Sequence, residues 1–180
     1  DETGTGSHVK LCSPIVALTM LPADPDEIAR RIANAKADLQ SEDEETRRSA
    51  ARTLRFLASG EAANALIPVF SERRIGWEAI AGCIGARDKA HTMELLARRM
   101  QEPDLVVNDR YIRTMASLSI PDEIYAAARN ADPQIDRTPY DALHNALDDA
   151  YDAALDRLAA ALPQKRGRAL AEACRLLLYR

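Results

Sequence analysis

The twelve residues Asp43-Glu44-Glu45-Thr46-Arg47-Arg48-Ser49-Ala50-Ala51-Arg52-Thr53-Leu54 decide how the rest of the chain is read. Asp43 suits a helix start, because its carboxylate can accept an otherwise unpaired amide of the first turn. Glu44 and Glu45 then place negative charge at the positive end of the helix dipole. Ala50, Ala51, Leu54 and Leu57 fall on one face, and the helix runs out at Ser59-Gly60.

The same grammar extends in both directions. Upstream, Asp24-Pro25-Asp26-Glu27 supplies a cap, a first-position proline and a first-turn carboxylate ahead of Ile28, Ile32, Ala35 and Leu39. Downstream, the pattern predicts helices over 61–71, 75–86, 89–102, 106–119, 121–131, 138–162 and 166–179. Thr138-Pro139-Tyr140-Asp141 is a well-formed start, and Pro163 stops that helix. Connections of two to six residues make successive helices antiparallel neighbours. Composition agrees: 33 alanines and 20 leucines against 5 valines favour helix, because alanine and leucine lose little freedom there. Aromatics are only 4%, so the core is built from small aliphatic contacts between close helices. The expected fold class is all-α beyond the first two dozen residues.

Residues 1–23 read differently. Asp1 to His8 are polar and aperiodic, and Gly6-Ser7-His8 fits a cloning remnant. A start at Asp1 rather than methionine predicts a processed or excised segment. Ile15–Leu21, closed by Pro14 and Pro22, predicts a short strand. With no second strand run to pair with, it is expected to be the last strand of a preceding β-domain. The chain is thus expected to divide into an extension (1–23), helix pairs (24–131) and a C-terminal helical cap (132–180).

The helix pairs repeat. A shift of 61 positions lays Leu39-Gln40-Ser41-Glu42-Asp43 over Met100-Gln101-Glu102-Pro103-Asp104, and Thr53, Leu54 and Leu57 over Thr114, Met115 and Leu118. A shorter shift of 29 lays Leu66-Ile67 over Leu95-Leu96. A pair of about thirty residues has one apolar face more than its own partner covers, so stacking completes the core.

At Asp43 to Leu54 the chain resembles the turn and second helix of HEAT repeats, where an aspartate at the turn and an arginine four residues later are characteristic. These would be Asp43 and Arg47. The resemblance implies a right-handed α–α superhelix in which they stitch adjacent repeats, and it covers about 26–131. The second copy keeps Asp104 but has Asn108 in place of the arginine. A strand followed by such repeats also resembles large extracytoplasmic bacterial proteins, which gives the localisation expected here.

Candidate chemistry is sparse. Asp141, His144 and Asp148 share a helical face, but a bundle metal site needs a matching motif on a second helix, and none exists in the sequence. Solvated acids are the expected state, with Leu143, Leu147, Ala150, Ala154, Leu158 and Leu162 as the buried stripe. Among Arg47, Arg48, Arg52 and Arg55, the first two are expected to pair with Asp43 and Glu44 four residues earlier, leaving Arg52 and Arg55 for a partner. Trp77, the only tryptophan, sits among Gly76, Gly82 and Gly85. It is expected to plug a repeat interface, with a partner anchor as the functional alternative. The three cysteines lack metal-ligand or disulfide logic, and no nucleophile elbow, phosphate loop or zinc motif occurs.

A net charge of -4, with 12 basic and 14 acidic residues in each half, argues against a nucleic-acid binder. No apolar run approaches the roughly 18 residues of a membrane span. The expectation is a non-enzymatic module, without cofactor or metal, that binds a protein partner or scaffolds a larger chain. Arg52, Arg55 and Trp77 are its candidate contact residues. A nucleic-acid-associated repeat and a structural spacer are the alternatives.

Overall fold

The computed structural model describes residues 24–178. The expected strand at 15–21 lies outside the described residues, and every regular element among them is helical. The helices are α1 (Pro25–Asp38), α2 (Glu44–Leu57), α3 (Gly60–Leu66), α4 (Gly76–Ile84), α5 (Lys89–Arg99), α6 (Asp109–Ser119), α7 (Asp122–Asn130), α8 (Thr138–Ala161) and α9 (Gly167–Leu178).

Five starts are capped by the side chain before them. Asp24, Asp43, Ser59, Asp88 and Asn108 accept from the amides of Asp26, Thr46, Ala62, His91 and Tyr111. The cap at Asn108 moves the start of α6 to Asp109, three residues past the expected 106. The helix expected over 61–71 breaks in two. Pro68 has no amide and its ring crowds the preceding turn, so α3 stops at Leu66 and Ile67–Ser71 continues as a 3₁₀ turn. Ala58 ends α2 in the left-handed region at φ 51°, a place usually given to glycine. Its neighbour Ser59 is committed to capping α3, and the Ala58 carbonyl accepts the Arg87 amide at 3.1 Å.

The first six helices pack in two rows. In one, α1 touches α3 and α3 touches α5; in the other, α2 touches α4 and α4 touches α6. Within the row of α2, α4 and α6 the helices run parallel. Glu44 pairs with Arg74 at the start of α2 and α4, whereas the Arg55 backbone lies against Gly82 near their ends. Asn108, just before α6, donates at 3.0 Å to the carbonyl of Phe70 in the 3₁₀ turn, which lies against Gly76 at the start of α4. Leu54, Leu66, Ile67, Phe70, Leu96, Ile112 and Met115 are buried between the rows. Tyr111 is also fully buried, its ring centroid 5.2 Å from that of Phe70, and its hydroxyl donates to the Leu96 carbonyl at 2.6 Å.

The pattern changes after α6. Helix α7 packs on α8, and α8 lies along α6 in the opposite direction. The Tyr151 hydroxyl donates to Asp109 at the start of α6, at 2.9 Å, while Leu147 lies beside Ala116 and Ser117 near its end. The turn after α8 docks on the loop before α6, where Lys165 Nζ donates to the carbonyls of Glu102 (2.8 Å) and Leu105 (2.9 Å). Of the apolar stripe expected on α8, Ala154 and Leu158 are buried. Leu143, Leu147 and Ala150, in the first half of α8, and Leu162, just past its end, are only half-buried.

Candidate functional site

Arg47, Arg52 and Arg55 occupy the side of α2 that faces α4, and their partners come from the next hairpin rather than from their own helix. Arg47 pairs with Glu72, just before α4. Arg55 Nη1 lies 3.0 Å and Arg52 Nε 3.8 Å from the carboxylate of Glu78, whose side chain is 9% exposed. The expected pairing of Arg47 and Arg48 with Asp43 and Glu44 is not formed, and Arg47 turns to Glu72 instead. Asp43 commits its carboxylate to the Thr46 amide (2.8 Å) and hydroxyl (2.6 Å), and Glu44 reaches Arg74 at 2.7 Å. Those Thr46 hydrogen bonds hold the Asp43 carboxyl below its usual range.

Trp77 departs from its expected place between repeats. The faces of α4 toward the core and toward α2 are taken by Ala79, Cys83, Glu78 and Gly82, which leaves Trp77 64% exposed on the remaining side. There it joins Ile80, Ile84, Arg110, Arg113, Thr114 and Ser117 around a groove of about 370 Å³ between α4 and α6. A second depression, between α6 and α8, shares Arg113 and Ser117 and adds Leu147, Asp148 and Tyr151. A third shares Ile84 and Ser117 and adds Lys89, paired with Asp122, as well as Tyr125 and Arg129. One surface thus crosses α4, α6 and the α7–α8 pair, with Ser117 common to all three hollows. Phe56 adds a 72% exposed ring on α2, and the Arg55 guanidinium stands 5.2 Å over it.

The charges on this surface are unevenly engaged. Arg113 Nε is 2.7 Å from Asp109, and its guanidinium lies 5.4 Å over the Tyr151 ring. The Asp109 hydrogen bond and charge hold it above its ordinary range. Arg110 makes no ion pair among the described residues.

The remaining titratable groups singled out from the sequence lie apart from this surface or are engaged in packing. His144 pairs with Asp148 at 3.3 Å on an open face, and no cluster of three or more metal-ligating side chains exists among the described residues. Burial pushes the Cys83 thiol up to about 12, so it stays protonated and inert. Desolvation lowers the Lys165 ammonium from its usual value, but two of its protons are committed to loop carbonyls. No helix among the described residues is long and apolar enough to cross a membrane.

Sequence reasoning singles out Arg52, Arg55 and Trp77 but misses Ile80, Ile84, Arg110 and Arg113. A signal for the isoleucines exists: on α4, positions 77, 80 and 84 recur at helical spacing opposite the small residues Ala79, Gly82 and Cys83. Comparison of the chain with family models, with curated proteins and with solved structures found no match.

Proposed function

We propose that the chain is a non-enzymatic, HEAT-like helical-repeat module, wound as a right-handed α–α superhelix, that binds a protein partner within or beside a larger protein. The observation that carries this reading is the exposed Trp77, set in a groove with two isoleucines and two arginines. Tryptophan and arginine are the side chains that most often dominate binding energy at interfaces, and an exposed indole with a hollow beside it has the form of an anchor. Two parallel rows of helices support the repeat reading, because each hairpin hides its spare apolar face on the next. The reversal of α8 supports treating 132–178 as the cap of that array.

The nucleic-acid alternative draws no support from the arginines of α2. Three of the four are paired with Glu72 and Glu78 of the next hairpin, which removes the unbroken positive strip that phosphates need.

Photo-crosslinking tests the proposal. p-Benzoylphenylalanine in place of Phe56 is expected to capture a protein identifiable by mass spectrometry in a lysate of the source cells. The same group in place of Arg31, on the opposite row, is expected to capture none. Equal capture from both positions, or capture only of nucleic acid at position 56, refutes the reading.

A further inference from the structure

We infer that the groove between α4 and α6 receives an acidic amphipathic helix from the partner protein. Its apolar side seats on Trp77, Ile80 and Ile84, and its carboxylates meet the arginines along the rim. This deepens the docking reading above and rests on it.

Charge selects the sign of the partner. The groove is lined by Arg110 and Arg113 and by no acid. Arg113 already shares Asp109, whereas Arg110 is exposed and has no ionic partner among the described residues. On the neighbouring helix, Arg52 and Arg55 divide the single carboxylate of Glu78 between them, so that trio carries a net positive charge. The chain as a whole is negative, at -4, whereas the lining of this groove is positive, with Asp148 and Asp122 confined to the adjoining hollows. A partner segment of net negative charge is drawn to this groove, the arrangement that fixes orientation and raises association rates.

Geometry selects the shape. The described residues offer no sheet edge, so an extended peptide would find no ladder to complete its backbone hydrogen bonds. A helix brings its backbone bonds already made. Trp77 and Ile84 are two turns apart on α4, so they stand about 10 Å apart along the axis at roughly 1.5 Å per residue. Apolar residues at i, i+3 or i+4 and i+7 of an incoming helix repeat at the same interval and meet all three anchors.

The only tryptophan lies in the groove, so its emission reports occupancy directly. The probe is a synthetic amphipathic peptide of about 20 residues, with leucines at i, i+4 and i+7 and glutamates flanking them, carrying a dye for anisotropy. Titrated into the full chain, it is expected to give a saturable blue shift of Trp77 emission. The same peptide with lysine for every glutamate is expected to bind at least about tenfold more weakly, and Arg110→Glu to weaken the acidic peptide by about tenfold or more. Trp77→Ala, followed by anisotropy, is expected to cost about thirtyfold or more, the hallmark of a central anchor. Circular dichroism confirms that these surface variants remain folded.

Three results overturn the inference: no Trp77 shift with the acidic peptide, equal affinity for the lysine peptide, or a matching shift with duplex DNA. Quenching or a blue shift that instead tracks protein concentration without peptide overturns it too, and assigns the groove to a second copy of the chain. Failure here is separable from failure of the docking reading. A protein cross-linked at position 56 through a basic or extended segment overturns the acidic helix alone, whereas absence of any protein cross-link overturns both.

Discussion

Gly82→Ala tests whether α2 and α4 meet as closely as the packing requires. A Cβ built at Gly82 would stand 2.5 Å from Leu66 Cδ1 and 3.3 Å from the Arg55 Cα. Leu66 is fully buried and cannot swing into solvent, and the Arg55 contact is backbone. Two effects compete. Alanine gains about 0.8–1.0 kcal/mol over glycine in a helix interior. Forcing a methyl into a filled core costs about 1–3 kcal/mol. With both neighbours fixed, the cost falls in the upper part of that range and the net loss is about 1–2 kcal/mol. In a chain of this size it lowers the melting temperature by about 2–4 °C per kcal/mol. Urea unfolding of the variant beside the parent measures the loss as an earlier midpoint with an unchanged slope. Gly60→Ala is the internal control, because its Cβ would approach His91 Cδ2 just as closely, at 2.7 Å, but His91 is exposed and turns away. That variant is expected to be neutral or slightly more stable. A stabilised Gly82→Ala, or equal losses at both sites, refutes the close approach of the second row.

Glu78→Gln is expected to destabilise by about 1–2 kcal/mol, less than the roughly 3–5 kcal/mol for breaking a fully buried pair, since Arg52 and Arg55 can rehydrate. In a double-mutant cycle, Arg55→Ala should cost less in the Glu78→Gln background than in the parent, and additive losses would show that the pair does not couple. Asp43→Ala is expected to lower the melting temperature at neutral pH, with a deficit that shrinks on acidification. Hydrogen bonds from Thr46 hold the folded Asp43 carboxyl below 3.8, so its stabilisation is present above that value and lost as pH falls through the lowered one. A deficit that persists undiminished at the lowest pH where the chain is folded would contradict this.

How much of this can be read from the chain depends on range. The caps Asp24, Asp43 and Ser59 act within three residues, so their helices follow from local rules. The break at Pro68 is equally local but hidden, because the apolar run around it masks the missing amide. The ion pairs escape sequence reading for a different reason. An aspartate or glutamate four residues before an arginine looks paired in isolation, yet Asp43 is consumed by its cap and Glu44 by Arg74, so the arginines turn to Glu72 and Glu78. Size alone argues for a buried Trp77, whereas the positions toward the core and α2 can hold only small side chains. The three glycines nearby signal that crowding rather than a socket for an indole.

The reversal after α6 has its own physical logic. Had α7 continued the row of α1, α3 and α5, α8 would have run parallel to α6 and left another apolar face uncovered. Instead α7 packs on α8, and α8 turns back along α6 to bury Ala154, Leu155 and Leu158. Its far end then reaches the loop before α6, where peptide carbonyls unused by helix or sheet must find donors. Lys165 provides them, burying its ammonium against Glu102 and Leu105 with the desolvation that lowers its pKa. Arg166 adds its amide to the Pro103 carbonyl at 3.2 Å. A helix parallel to α6 would end at the opposite pole and could not deliver these donors. The loop's polar demand and the row's spare apolar face are thus met by the same change of direction, and that change also sets Leu147 and Tyr151 as the far wall of the surface that begins at Trp77.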